Sequence, residues 1–131
     1  MINYFRYSYC GLSEEKAHEK FGKENIEVYH SKYTPLEEYL NSHIDETGHA
    51  IKRKAYCKIV CNKKDDDRIV GIHYLGPNAG EIMQGLTVAM KLGIKKKDLD
   101  NTIGIHPTSA EEFTNLKISK SSGEKFEKES C

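Results

Sequence analysis

No stretch of the 131 residues strings together enough apolar side chains to cross a bilayer. The start, MINYFRYSYC, has neither the charged opening nor the apolar run of a signal peptide. Membrane insertion and export are therefore not expected. An excess of charge of either sign is missing too: twenty Lys plus Arg balance twenty Asp plus Glu, which removes the electrostatic argument for nucleic acid or an anionic membrane as partner. The lysines of IKKKDL (94–99) read as the solvated end of a helix. Cysteine is scarce and irregularly spaced, with Cys10, Cys57, Cys61 and Cys131 as the full set of four. Such a set is no disulfide scaffold and points to a reducing compartment; a cytoplasmic location is expected, with a mitochondrial form left open. No H-x-x-x-H or Cys-x-x-Cys pattern occurs, so no metal site is indicated. GPNAGE (76–81) lacks both G-x-G-x-x-G and the lysine of a phosphate loop, so it is no nucleotide fingerprint.

What is present suits one soluble globular domain with a modest core: 37% hydrophobic and 31% charged residues, with a mean hydropathy of −0.68. Residues 2–9, rich in Tyr and Phe, predict a strand. GLSEEKAHEKFG then predicts a helix capped by Ser13, started by Glu14 and Glu15 and stopped at Gly22. NIEVYHSKY (25–33) alternates with period two, and TPLEEYL (34–40) predicts a short helical turn with Pro35 at its first position. Residues 41–54 are polar and aperiodic and read as a loop insert.

AYCKIVCNK (55–63) and RIVGIHYLG (68–76) flank a charged turn and predict an antiparallel pair. Residues 77–93 predict a helix carrying Ile82, Leu86, Ala89 and Met90 on one side, with Asn78 as cap and Gly80 allowing close packing. KKKDLD predicts a further short helix, and TSAEEFTNLKI the last one. From Ser119 on the chain is almost wholly polar, so the organisation read is a domain over 1–118 and a flexible tail over 119–131. Strands followed by helices make the fold class α+β, a mostly antiparallel sheet with helices packed on one side.

Two features carry chemistry. On a strand, Cys57 and Cys61 share a face but lie roughly 13 Å apart at about 3.3 Å per residue, too far for a disulfide; they read as core thiols. In IGIHPTSAEEF (103–113), Pro107 holds His106 extended, while Thr108 and Glu111 form a T-x-x-E capping box. Two readings follow from those residues. Glu111 or Glu112 fixes one ring nitrogen of His106 and leaves the other free to exchange a proton. Alternatively, Glu111 only closes its box and His106 is a loop residue.

CGLSEEKA, FGKENIEVYHSKYTPLE, VGIHYLGPNAGEIMQG and LDNTIGIHPTSAEEF, in that order, resemble the C-terminal interface (dimerisation) domain of the pyridine-nucleotide disulfide oxidoreductases. The likeness runs from about residue 8 to about 120 and is greatest to the large, glutathione-reductase-like thioredoxin reductases. It implies that His106 is the acid/base at the partner subunit's active site and that Glu111 holds it. It implies that Ile105, His106 and Pro107 line the partner's FAD, and that FAD and NADPH serve the full enzyme while this chain binds neither tightly alone. It implies a homodimer, contact with the FAD and NADPH domains, and a thioredoxin-like protein substrate. The tail through SSGEKFEKESC resembles a redox arm with Cys131 as its thiol, whereas Ser109 is as in glutathione reductase. A glutathione or thioredoxin-glutathione reductase portion is therefore the alternative, as is a stand-alone dimerising module without chemistry. No Cys-x4-Cys and no FAD or NADPH domain occur in these residues, so the isolated chain is expected to be inactive.

Overall fold

The computed structural model describes residues 5–40 and 43–128. Four strands, β1 (Arg6–Gly11), β2 (Ile26–Tyr33), β5 (Ala55–Asn62) and β6 (Arg68–Gly76), form one antiparallel sheet in the order β1-β6-β5-β2. Between β2 and β5 lie a short helix, α2 (Glu37–Leu40), and a two-stranded hairpin of β3 (His43–Ile44) and β4 (Ala50–Ile51). Helix α1 (Glu14–Phe21) follows β1, and α3 (Ala79–Lys91) and α4 (Lys96–Asp100) follow β6.

The α+β architecture with a mostly antiparallel sheet is the one expected, with an amendment to the one-sided packing of helices. One sheet face, with Tyr33, Cys57, Ile59, Ile72 and Tyr74, forms the main core with Met83 of α3, Leu99 of α4, Phe113 and Leu116. A smaller cluster joins Ile26, Val28 and Val60 to Ala17 of α1. The two clusters divide β5 by its period-two pleat: Cys57, Ile59 and Cys61 belong to the first and Val60 to the second. Both faces of this strand are apolar because both receive helices.

Helix α1 forms as its punctuation predicts. Ser13 accepts from the Lys16 amide, and Gly22 ends the helix at φ 86°. Two glycines that the motifs did not single out hold β1 against β6. A Cβ on Gly11, which has φ 81°, would lie 2.3 Å from the Val70 carbonyl oxygen, and one on Gly71 would lie 2.1 Å from that of Leu12. Gly80, read as a close-packing glycine, faces open space instead. Asn78 does stand before α3, but its left-handed backbone (φ 55°) turns the side chain from the helix amides, and its amide donates to Glu37 at 3.4 Å.

The segment 41–54 is not all loop, since the β3–β4 hairpin occupies its described part. Its base is pinned by Glu38, a buried carboxylate that accepts from Arg53 Nη2 at 2.7 Å and from the Arg53 amide at 2.9 Å. Of the strand expected over residues 2–9, β1 holds the part from Arg6 on, and residues 2–4 lie outside the described residues. The last predicted helix is replaced by a 3₁₀ turn over Ala110–Phe113. The Glu111 carbonyl, which an α-helix would give to Asn115, instead accepts from the Thr114 amide and from the Thr114 hydroxyl at 2.7 Å, while the Asn115 amide bonds Glu112. Phe113 and Leu116, three apart, are both buried, the spacing a 3₁₀ turn aligns.

Candidate functional site

The turn over residues 103–116 is built from inside out. Phe113 meets Tyr74 edge to face at 5.9 Å, and Tyr74 shares a 3.1 Å hydroxyl contact with Tyr33. Burial pushes the Tyr74 phenol up to about 12 and Tyr33 higher still, so both stay neutral donors and acceptors. The Tyr33 hydroxyl also donates to the Ser109 carbonyl, which fastens the turn to the sheet.

Glu111, only 8% exposed, stands on this anchored turn. Its Oε1 lies 2.7 Å from His106 Nδ1 and accepts from the Thr108 amide at 3.3 Å, while its own amide donates to Thr108 Oγ1 at 3.3 Å. The two readings open in the sequence are therefore one arrangement: a single carboxylate closes the capping box and holds the imidazole. A carboxylate oxygen only accepts, so the hydrogen sits on Nδ1 and the Nε2 lone pair is left outward. The His106 side chain is 67% exposed, and Nε2 has access to solvent or to a second molecule. The His106–Pro107 peptide is cis.

Around the imidazole the rim is apolar and uncovered. Ile103 is 93% and Ile105 77% exposed, and Pro107 is exposed as well. These residues could form one wall against a planar ring such as a flavin.

The neighbouring Glu112 points the other way, into the sheet. It is buried, accepts from Ser31 Oγ at 3.2 Å and pairs with Lys128 Nζ at 3.1 Å. The motif gave no sign of this role, because the partners are 81 and 16 residues away in sequence. Gly104 was also passed over: a Cβ there would lie 2.7 Å from that of Glu111. Cys57 and Cys61 are buried free thiols on one strand, as spacing predicted. Burial raises both, Cys61 to about 12 and Cys57 beyond, which leaves them inert at neutral pH. Cys131, the proposed tail thiol, lies outside the described residues.

Comparison with known proteins gives the same direction as the motifs. Residues 2–117 match the family model described as the pyridine nucleotide-disulphide oxidoreductase dimerisation domain. The chain is 46% identical over 124 residues to the thioredoxin reductase of Plasmodium falciparum (isolate FCH-5), covering 89% of this chain and 23% of that protein. It is also 46% identical over 125 residues to thioredoxin reductase 2, mitochondrial, of Drosophila melanogaster, covering 95% of this chain and 23% of that protein. The same identity and length hold for thioredoxin reductase SEP1 of Emiliania huxleyi, with 95% of this chain and 24% of that protein covered. The chain thus spans about a quarter of the length of these curated relatives.

Proposed function

Since the chain belongs to the pyridine nucleotide-disulphide oxidoreductase dimerisation-domain family, we propose that it serves a thioredoxin-reductase-like, NADPH-dependent flavoprotein disulfide reductase by supplying His106 and Glu111 to the active site of a partner subunit. The observation that carries this reading is the outward-facing imidazole held through Nδ1 by a buried carboxylate at 2.7 Å, with no thiol near it among the bonded partners of the described residues. An acid/base that meets no thiol among the described residues is suited to serve another chain's.

The geometry supports the following residue roles. Glu111 orients the ring, because the carboxylate is itself fixed by Thr108 and by burial. Nε2 takes the proton of an attacking thiol as its sulfur bonds to one sulfur of a disulfide; the S–S bond breaks, and the departing thiolate takes the proton from Nε2. Ile105 and Pro107 give the partner's flavin an apolar wall and exclude water beside the ring. A bound FAD would supply the two-electron transfer from NADPH that reduces the partner's active-site disulfide to a dithiol. In this reading Cys131 is the arm thiol that carries reducing equivalents to a thioredoxin-like protein.

The test uses this domain joined to the FAD and NADPH domains of a relative. His106→Ala should lower kcat by on the order of 10²-fold or more, the scale for losing a positioned acid/base, and Glu111→Gln by less. A His106→Ala enzyme that keeps full turnover would overturn the reading.

A further inference from the structure

After Leu116 the chain does not leave the domain. It runs along the outer edge of β2, where the His30 amide donates to the Ile118 carbonyl at 3.2 Å, the Lys32 amide to that of Phe126 at 2.9 Å, and the Lys128 amide to that of Lys32 at 2.7 Å. This covers a sheet edge that would otherwise present unpaired groups. The path read from sequence as a flexible tail is thus a defined one over 119–128.

Residues 119–128 contain a single apolar side chain, Phe126. Its ring stacks on His30 with centroids 4.0 Å apart and meets Tyr56 edge to face at 6.1 Å. His30 and Tyr56 are themselves joined, Nδ1 to hydroxyl, at 3.2 Å. Two residues on, Lys128 pairs with the buried Glu112. Lys54 Nζ also donates to the Lys128 carbonyl at 3.3 Å, while the ion pairs of Lys32 and Lys54 with Glu127 are between partly exposed side chains and hold little. A second anchor lies upstream, where Lys120 bonds Glu14 at 2.6 Å and Ser121 bonds Glu27.

We infer that residues 124–128 are a latch, with Phe126 its tongue in a seat made by His30 and Tyr56 and Lys128 its bolt on Glu112, and that this latch opens by itself, freeing the segment from the β2 edge while the sheet stays folded. One ring, one buried ion pair and a few edge hydrogen bonds are the holding set, which makes local opening much easier than unfolding of the sheet.

Amide hydrogen exchange by NMR on the full chain tests it. In the wild type the Lys32 and Lys128 amides should be protected. Phe126→Ala should speed both by on the order of tenfold or more, the loss of an aromatic contact and its buried area, and should speed trypsin cleavage after Lys125, while the Ile59 and Ile72 amides keep their protection. Phe126→Leu should fall between, and Glu112→Gln should act on Lys128 more than on Lys32. Should Phe126→Ala weaken the sheet amides as well, Phe126→Leu decides. Wild-type amides at Lys32 and Lys128 that exchange like those of an unstructured peptide, or no change in either Phe126 variant, would overturn the latch. His106→Ala should leave these amides alone, so failure of the catalytic reading is distinguishable from failure of this one.

Discussion

Residues 103–107 and residues 111–116 are neighbours in sequence and opposites in burial. The first group exposes Ile103, Ile105 and Pro107; the second buries the charged Glu111 and Glu112 beside Phe113 and Leu116. A self-sufficient surface would do the reverse. Two buried carboxylates are kept only because each has its own partners, His106 and Thr108 for one, Ser31 and Lys128 for the other. The exposed apolar rim has no such account among the described residues, and a neighbour that covers it would supply one. Val88 on α3 and Leu92 just after it are exposed apolar side chains as well, in keeping with a domain of the dimerisation family.

The largest effect should come from the buried side of this contrast. Phe113→Ala removes a fully enclosed ring from the main core and should cost about 3–5 kcal/mol of stability, measured by urea unfolding; a loss below about 1 kcal/mol would mean that the turn is not seated on the sheet. Next, Glu112→Ala leaves Lys128 and Ser31 without their acceptor. It should cost about 1–3 kcal/mol, and more than Glu111→Gln, whose His106 partner has solvent to turn to.

A smaller effect should follow pH. Burial holds His30 and His73 below the ordinary imidazole value of 6.5. The unfolded chain therefore binds protons more tightly at these two positions. Their contribution to stability is full above about pH 6.5 and declines as pH falls through the lowered folded values. The melting temperature should drop on going from pH 7 to pH 5, and less so in a His73→Gln variant; a flat profile would contradict the burial of both rings. The smallest effect on stability belongs to the exposed side: Ile105→Ser should stay within about 0.5 kcal/mol of the parent, yet weaken self-association in sedimentation.

The same contrast explains what was legible in the sequence. Helix α1, the β5–β6 hairpin and α3 were readable because their signals are local: a Ser13 cap, a charged turn, apolar side chains at helical spacing. His106 and Glu111 were readable as a pair because five residues separate them. The helix expected after Pro107 was not built, since a Thr114 hydroxyl and two core anchors three residues apart favour a tighter turn, which periodicity over so short a run does not resolve. Gly11 and Gly71 escaped notice because their need arises from a strand that approaches them in space. The seat for Phe126 was invisible for the same reason, for polar composition predicts a free tail and only the β2 edge and the His30 ring give that one apolar side chain a place.

Mixed dimers test the central claim most directly. One subunit of a full-length reductase bearing this domain carries His106→Ala, and the other keeps His106 but lacks its active-site dithiol. Acid/base service across the interface predicts that the mixed dimer regains one competent site, with turnover well above either homodimer. Turnover no higher than that of the two inactive parents, or full activity in the His106→Ala homodimer, would contradict it.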